Sequence, residues 1–102
     1  MTGYLLTFYI EQNQTHQHQS LGNWLMALAR DTGLKGATLF PASQGFGANH
    51  RLHAAHFFEL ADQPMAVVMA LSAEEKEMIL QKIQQESLHI FYTLVPADYG
   101  FS

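Results

Sequence analysis

The sequence predicts an α+β fold: a ferredoxin-like βαββαβ sandwich in which one antiparallel sheet carries two helices on one face. Three observations carry this. Short runs rich in aromatic and β-branched residues are interleaved with two segments of helical period. Both helical segments carry start or stop signals of their own. The chain of 102 residues, 48% hydrophobic and 14% charged, is long enough for one domain and one core, with no linker to divide it.

The first strand is Tyr4–Ile10, "YLLTFYI". The polar stretch "EQNQTHQHQS" reads as a loop, and its His16 and His18 as a solvated pair, since a lone His-x-His lacks the ligands to close a metal site. Leu21, Trp24, Leu25 and Leu28 then recur at helical spacing, with Ser20 as N-cap and Gly33 as the left-handed stop. "GATLFPAS" is a second strand, and its Pro41 places it at an edge or bulge. "LHAAHFFEL" reads as a third strand and "MAVVMAL" as a fourth. Ser72-Ala73-Glu74-Glu75 is a capping box opening a helix to about Glu86, with Met78, Ile79 and Ile83 inward. "LHIFYTLV" is the last strand and contains His89; the tail "PADYGFS" reads as irregular. The plan is β-α-β-β-α-β, the split βαβ arrangement.

Strand faces add a second expectation. Tyr4, Leu6, Phe8 and Ile10 share one face of the first strand, but Leu5 and Tyr9 stand on the other. The fourth strand sets Met65, Val67, Met69 and Leu71 against Ala66, Val68 and Ala70. In the last, Leu88, Ile90, Tyr92 and Leu94 oppose Phe91 and Val95. Two helices cover one face of a sheet, so the second apolar face predicts burial between subunits.

Composition excludes several functions. Net charge is −4, and Arg30, Lys35, Arg51, Lys76 and Lys82 are scattered singly, so no basic stripe suits nucleic acid. There is no cysteine for a disulfide, a thiolate metal site or a nucleophile. Met1–Ile10 lacks the basic region of a signal peptide, and the longest apolar run, Met65–Leu71, is too short to span a bilayer. A cytoplasmic protein without membrane insertion is expected. Ser20, Ser43, Ser72, Ser87 and Ser102 have no nucleophile-elbow context, and Glu74, Glu75 and Glu77 serve a helix start, so no enzyme is expected.

The stretch "SQGFGANHRLHAAHFFEL" holds the candidate site residues. Gly45 and Gly47 allow backbone amides to approach an anion, and Asn49 and Arg51 add polar and charged donors for a phosphate or carboxylate. The ending Gly-Lys-Ser/Thr of a Walker A loop is absent. His50, His53 and His56 suggest a divalent metal such as zinc, copper or nickel. In an extended strand, however, His53 points away from the other two, and a symmetric oligomer would have to supply the missing ligand.

"LARDTGLKGATLFPASQGFGANHRLH", residues 28–53, resembles the signature of the PII-like family called domain of unknown function 190. Its matching steps are Gly33-Leu34, Gly36-Ala37-Thr38, Gly45-Phe46-Gly47 and Arg51-Leu52-His53, and "ELADQPMAVVMALSAEEKEMIL" extends the resemblance over almost the whole chain. The resemblance implies a homotrimer with the fold of nitrogen-regulatory PII proteins, sheets inward and helices outward. It implies a small effector, most often an adenine nucleotide, in clefts between subunits at the base of a loop, here Gln44–Arg51. It also implies that this loop answers a partner protein, such as a membrane transporter. A metal-binding trimer similar to the cation-tolerance proteins is the alternative. Two departures limit the transfer. Leu71-Ser72-Ala73-Glu74 stands where PII proteins have a glycine-rich phosphate loop, and no tyrosine lies between Gln44 and His56 to accept a uridylyl group. ATP and 2-oxoglutarate sensing of the PII kind is therefore not implied.

Overall fold

The computed structural model describes residues 1–42, 44–46, 52–54 and 63–102. Strand β1 (Thr2–Glu11) is the centre of the construction. It pairs antiparallel with β7 (Pro64–Leu71) on one side and β8 (Phe91–Asp98) on the other. Strand β4 (Gly36–Pro41) pairs with the far side of β7, giving the order β4-β7-β1-β8. This is the ferredoxin-like sheet expected from the βαββαβ plan. Pro41 closes the edge strand β4 and Pro96 lies in the edge strand β8, where a missing amide breaks no central ladder.

Helices α1 (Leu21–Thr32) and α2 (Ala73–Gln85) cover one face. Ser20 caps α1 by accepting from the Asn23 amide. Gly33 ends it in the left-handed region, with φ of 90°, while the Gly33 and Leu34 amides donate to the Arg30 and Ala29 carbonyls in a Schellman motif. Gly22 lets α1 lie close to the sheet, since a Cβ there would stand 3.2 Å from Leu39. In α2 the capping box is complete: Ser72 Oγ accepts from the Glu75 amide and Glu75 Oε1 from the Ser72 amide. The core beneath the helices joins Leu6, Phe8 and Ile10 of β1, Val67, Met69 and Leu71 of β7, Trp24 and Leu25 of α1, and Ile79 and Ile83 of α2.

Five expectations are corrected. Met78 is 54% exposed, because it stands one residue off the Ile79–Ile83 stripe and turns to solvent. Leu88 and Ile90 pack on the core from an irregular segment, and β8 starts at Phe91; His89 is exposed and precedes the strand. Pro96–Asp98 continues β8, so the tail becomes irregular only after Asp98. The polar stretch after β1 contains a small hairpin, β2 (Thr15–His16) and β3 (Gln19–Ser20), joined by Gln17 and His18 with φ of 52° and 67°. Lastly, of the expected third strand, Leu52–Ala54 (β6) pairs with Gln44–Phe46 (β5) in a separate two-stranded ribbon, outside the main sheet. Residues 55–60 of that expected strand lie outside the described residues.

Candidate functional site

The segment 43–62 leaves and rejoins the sheet at one end. Its base is strapped by two backbone hydrogen bonds: Ala42 N donates to the Pro64 carbonyl at 2.8 Å, and Gln12 N to the Gln63 carbonyl at 3.0 Å. The first ties the exit from β4 to the entry of β7. The second ties both to the end of β1. Above this base the β5–β6 ribbon sets Gly45 opposite His53, Gln44 opposite Ala54 and Phe46 opposite Leu52. Of the expected site residues, Gly45 and His53 are thus brought together as cross-strand partners. Gly47, Asn49, His50, Arg51 and His56 lie outside the described residues.

The sheet face away from the helices is the second part of the site. The registers arrange it in three rows across the four strands: Val95–Leu5–Ala70–Gly36, Thr93–Thr7–Val68–Thr38, and Phe91–Tyr9–Ala66–Phe40. None of these twelve residues carries a formal charge. Leu5, Tyr9, Phe40, Phe91 and Val95 are between 39% and 64% exposed. Strands about 4.8 Å apart with six to ten residues each make a plane on the order of 400 Å², the size of the largest apolar patch on a typical monomer, which is often functional. Tyr9 is fixed in this face: its ring lies 5.6 Å from that of Phe91, and its hydroxyl is 3.2 Å from Thr93 Oγ1. The row Phe91–Tyr9–Ala66–Phe40 stands at the end of the sheet where segment 43–62 begins and ends. Its aromatic character at the loop base was not singled out from sequence, although Phe40, Tyr9 and Phe91 are all conspicuous there; only the strand registers align them.

His16 is not a solvated loop residue. Its Nε2 lies 2.9 Å from Glu86 Oε1, and its ring stands edge-on to Trp24 with centroids 4.8 Å apart. Gln17 and His18 both lie in the left-handed region, so the backbone between His16 and His18 is a turn and not an extended strand. The His16 hydrogen bond, followed by that of Lys82, holds the Glu86 carboxyl below its usual range. Among the described residues no three His, Asp or Glu side chains gather as a cation site. A groove of about 230 Å³ between α1 and β4, lined by Met26, Ala29, Arg30, Leu34, Gly36 and Ala37, is apolar with one cation. It is smaller than the 300–1,000 Å³ or so typical of small-molecule pockets. No described helix is long and apolar enough to cross a membrane.

Comparison with known proteins joins these features to a group. The model of the DUF190 family, described as an uncharacterized ACR, matches residues 3–98. A UPF0166 protein of Aquifex aeolicus (strain VF5) is 28% identical over 72 residues, 71% of this chain and 69% of its own length. Among solved structures, CPII, a nitrogen regulatory PII-like protein from Thiomonas intermedia K12 bound to ADP, AMP and bicarbonate, superposes with a TM-score of 0.73. It is 19% identical, with 99% of this chain and 91% of that one covered. A candidate PII-like signaling protein from Thermus thermophilus gives 0.70 at 21% identity, covering 94% and 87%. At these identities the structural likeness shows the shared fold.

Proposed function

Because the chain belongs to the DUF190 family and has a PII-like fold, we propose that it is a regulatory protein that works by binding and not by catalysis. In this reading three copies assemble through the uncharged sheet face, in the cytoplasm. An adenine nucleotide is held in the clefts between them, at the base of segment 43–62. Gly45 and Gly47 offer backbone amides, while Asn49 and Arg51 offer side-chain donors to its phosphates. Occupancy orders the loop and alters its affinity for a partner protein, such as a membrane transporter, by favouring one of two loop states.

The observation that carries this reading is the meeting of two features at one end of the sheet. The strapped base of the loop adjoins the aromatic end of a bare, uncharged face. Three such faces packed together would bury their apolar centres and leave clefts beside the loop bases, where aromatic rings and backbone amides suit a base and its phosphates. The nucleotide class is that carried by the CPII neighbours, one bound to ADP, AMP and bicarbonate and another to ADP and bicarbonate.

Isothermal titration of the purified protein with ADP and AMP tests the reading. Binding is expected, and Arg51→Ala should weaken it by about 1.5–3 kcal/mol, the range for a hydrogen bond to a charged group. Light scattering should give the same assembly mass for both proteins. Absence of binding by the wild type, or Arg51→Ala binding as tightly, would reject the nucleotide site.

A further inference from the structure

We propose that the two outer edges of the sheet are each other's partners: β8 of one copy adds to β4 of the next, and this seam seats Phe91 of one copy beside Phe40 of the next at the base of segment 43–62. Taken with the three-copy assembly proposed above, on which it rests, the seam lets each neighbour complete a loop base.

Among the described residues no strand lies beyond β4 or β8 in the main sheet. The bonds on the inner side of each edge strand fix what its outer side presents. Met1 and Tyr99 exchange both backbone bonds, Met1 N donating to the Tyr99 carbonyl at 2.7 Å and Tyr99 N to the Met1 carbonyl at 2.8 Å. Such bonded pairs alternate with unbonded ones along an antiparallel ladder. Phe91, Thr93, Val95 and Ala97 therefore bond to β1, while the amides and carbonyls of Tyr92 and Leu94 point outward. Pro96 falls in the outward set, where its missing amide breaks no bond to β1. On the other edge, the Ala42 amide donates inward to the Pro64 carbonyl at 2.8 Å. Gly36, Thr38 and Phe40 share its phase, so Ala37 and Leu39 point outward, followed by Pro41. Each edge thus turns two residues outward and ends at a proline.

The two edges match in polarity and in level. β4 and β1 run one way, β7 and β8 the other. Laid beside the next copy's β4, β8 continues the antiparallel alternation. The three rows of the bare face continue with it, and no shift along the strands is needed: Val95 meets Gly36, Thr93 meets Thr38, and Phe91 meets Phe40. At this level Leu94 faces Ala37 and Tyr92 faces Leu39, outward residue to outward residue. Within one chain β8 and β4 stand three strand spacings apart, about 14 Å, so Phe91 and Phe40 belong to opposite edges. Across the seam they adjoin, next to Pro41 and Ala42, where segment 43–62 begins. Pairing β8 with a second β8 would leave β4 open and the bare face uncovered. Head-to-tail joining uses both edges of every copy, and a closed ring with the helices outward leaves neither edge nor bare face exposed.

The chain has no cysteine, so introduced cysteines report the seam alone. A Cβ at Gly36 meets nothing within 4 Å, and Val95 is exposed. Across the seam these two are an unbonded pair, whose Cα atoms approach to about 4.5 Å, within disulfide reach. Within one chain, at about 14 Å, they cannot bridge. The full chain carrying Gly36→Cys and Val95→Cys is oxidised without nucleotide and run under denaturing conditions without reductant. Most of it should migrate as covalent dimer and trimer and return on reduction to one 11.5 kDa band. Each single variant should migrate as one chain. A covalent dimer from Val95→Cys alone would mean that β8 pairs with its own copy, and overturns the proposal. Light scattering of the wild type separates the two failures. The mass of one chain sinks the assembly and the seam together, whereas an oligomer whose double variant stays uncrosslinked overturns the seam alone. Should the double variant fail to fold, amide exchange decides. The amides of Ala37, Leu39, Tyr92 and Leu94 should exchange about tenfold or more slower in the wild type than in Val95→Asp. Equal exchange overturns the seam.

Discussion

The two faces of the sheet are made by the same strands and nearly the same kinds of side chain, and they meet different fates within one chain. On the helix side, Leu6, Phe8, Val67 and Met69 are fully buried beneath Trp24, Leu25 and Ile79. On the other, the immediate sequence neighbours Leu5 and Tyr9 stand open beside Phe91 and Val95. The difference lies in what is available to cover them. Two helices span one face, and among the described residues none covers the second. A soluble antiparallel sheet usually resolves this by alternating to polar residues outward. Here the outward rows hold Leu5, Val68, Val95, Ala66, Ala70 and Gly36 beside three threonines and three aromatic residues, with no charge among them, a composition closer to the core of an interface, where charge is depleted, than to a wetted surface. Substitutions on the two faces of the sheet should therefore fail in different ways.

The largest effect is expected on the covered face. Phe8→Ala empties a fully buried position against Tyr92, whose ring lies edge-on at 6.1 Å, and should cost about 3–5 kcal/mol of unfolding free energy in urea titrations. A loss under 1 kcal/mol or so would mean that the core is not packed as described. On the open face the expected failure is assembly. Val95→Asp sets a carboxylate opposite Leu5. Burying it unpaired between subunits would cost several kcal/mol. Light scattering should show the wild type at about three times the 11.5 kDa chain mass and the variant at the mass of one folded chain, by circular dichroism. An unchanged assembly mass for Val95→Asp would remove this face from the interface and leave the contrast between faces unexplained.

Much of this contrast was legible in the sequence. The alternation of Leu6 and Phe8 with Leu5 and Tyr9 placed both faces, and Ser20, Gly33 and the Ser72–Glu75 box located both helices, because capping and strand period act over a few residues. Pro41 foretold an edge. The misses share a physical cause: a local pattern overridden by a contact distant in the chain. Leu88 and Ile90 look like strand residues, yet they pack on the core before β8 begins. Ser87 takes the left-handed position at the end of α2, with φ of 57°, that glycine takes at the end of α1. Gln17 and His18 do the same in a turn without the Asn-Gly signature. His16 finds its partner 70 residues away, which no spacing rule reveals. At the candidate site, the Gly-Phe-Gly run was read as an anion-binding loop, whereas Gln44–Phe46 is a strand of the ribbon, and only the strand registers set the aromatic row at its base.

A smaller effect should sharpen the contrast by loosening the cover without touching the open face. Ser72→Ala removes the oxygen that accepts from the Glu75 amide at 3.1 Å, leaving the helix start without one acceptor. The expected loss is about 1 kcal/mol, with Ser72→Asp restoring most of it, since aspartate caps comparably. The assembly mass should stay that of the wild type. If Ser72→Ala instead lowers the assembly mass, the two faces are coupled through α2 and are not independent layers.

The smallest effect concerns the far end of the same helix. The Glu86 carboxyl is held below its ordinary value near 4.5, first by the hydrogen bond from His16 and then by Lys82. A carboxylate whose folded pKa is depressed adds stability that is fully present above its unfolded pKa. That stability is lost as pH falls through the folded value. Glu86→Gln keeps an acceptor for His16 and Gln17 but removes the charge. The wild type should therefore melt above Glu86→Gln near pH 6. The gap should narrow once the pH passes below about 4.5, as the unfolded chain's carboxyl begins to take up protons, and close when the folded carboxylate is protonated too. Because Glu86 sits at the end of the helix that covers the inner face, the assembly mass of the two proteins should be equal wherever both are folded. A melting gap that stayed constant down to the acid limit of folding would show that the charge of Glu86 contributes nothing, and that its hydrogen bonds to the hairpin act as neutral contacts.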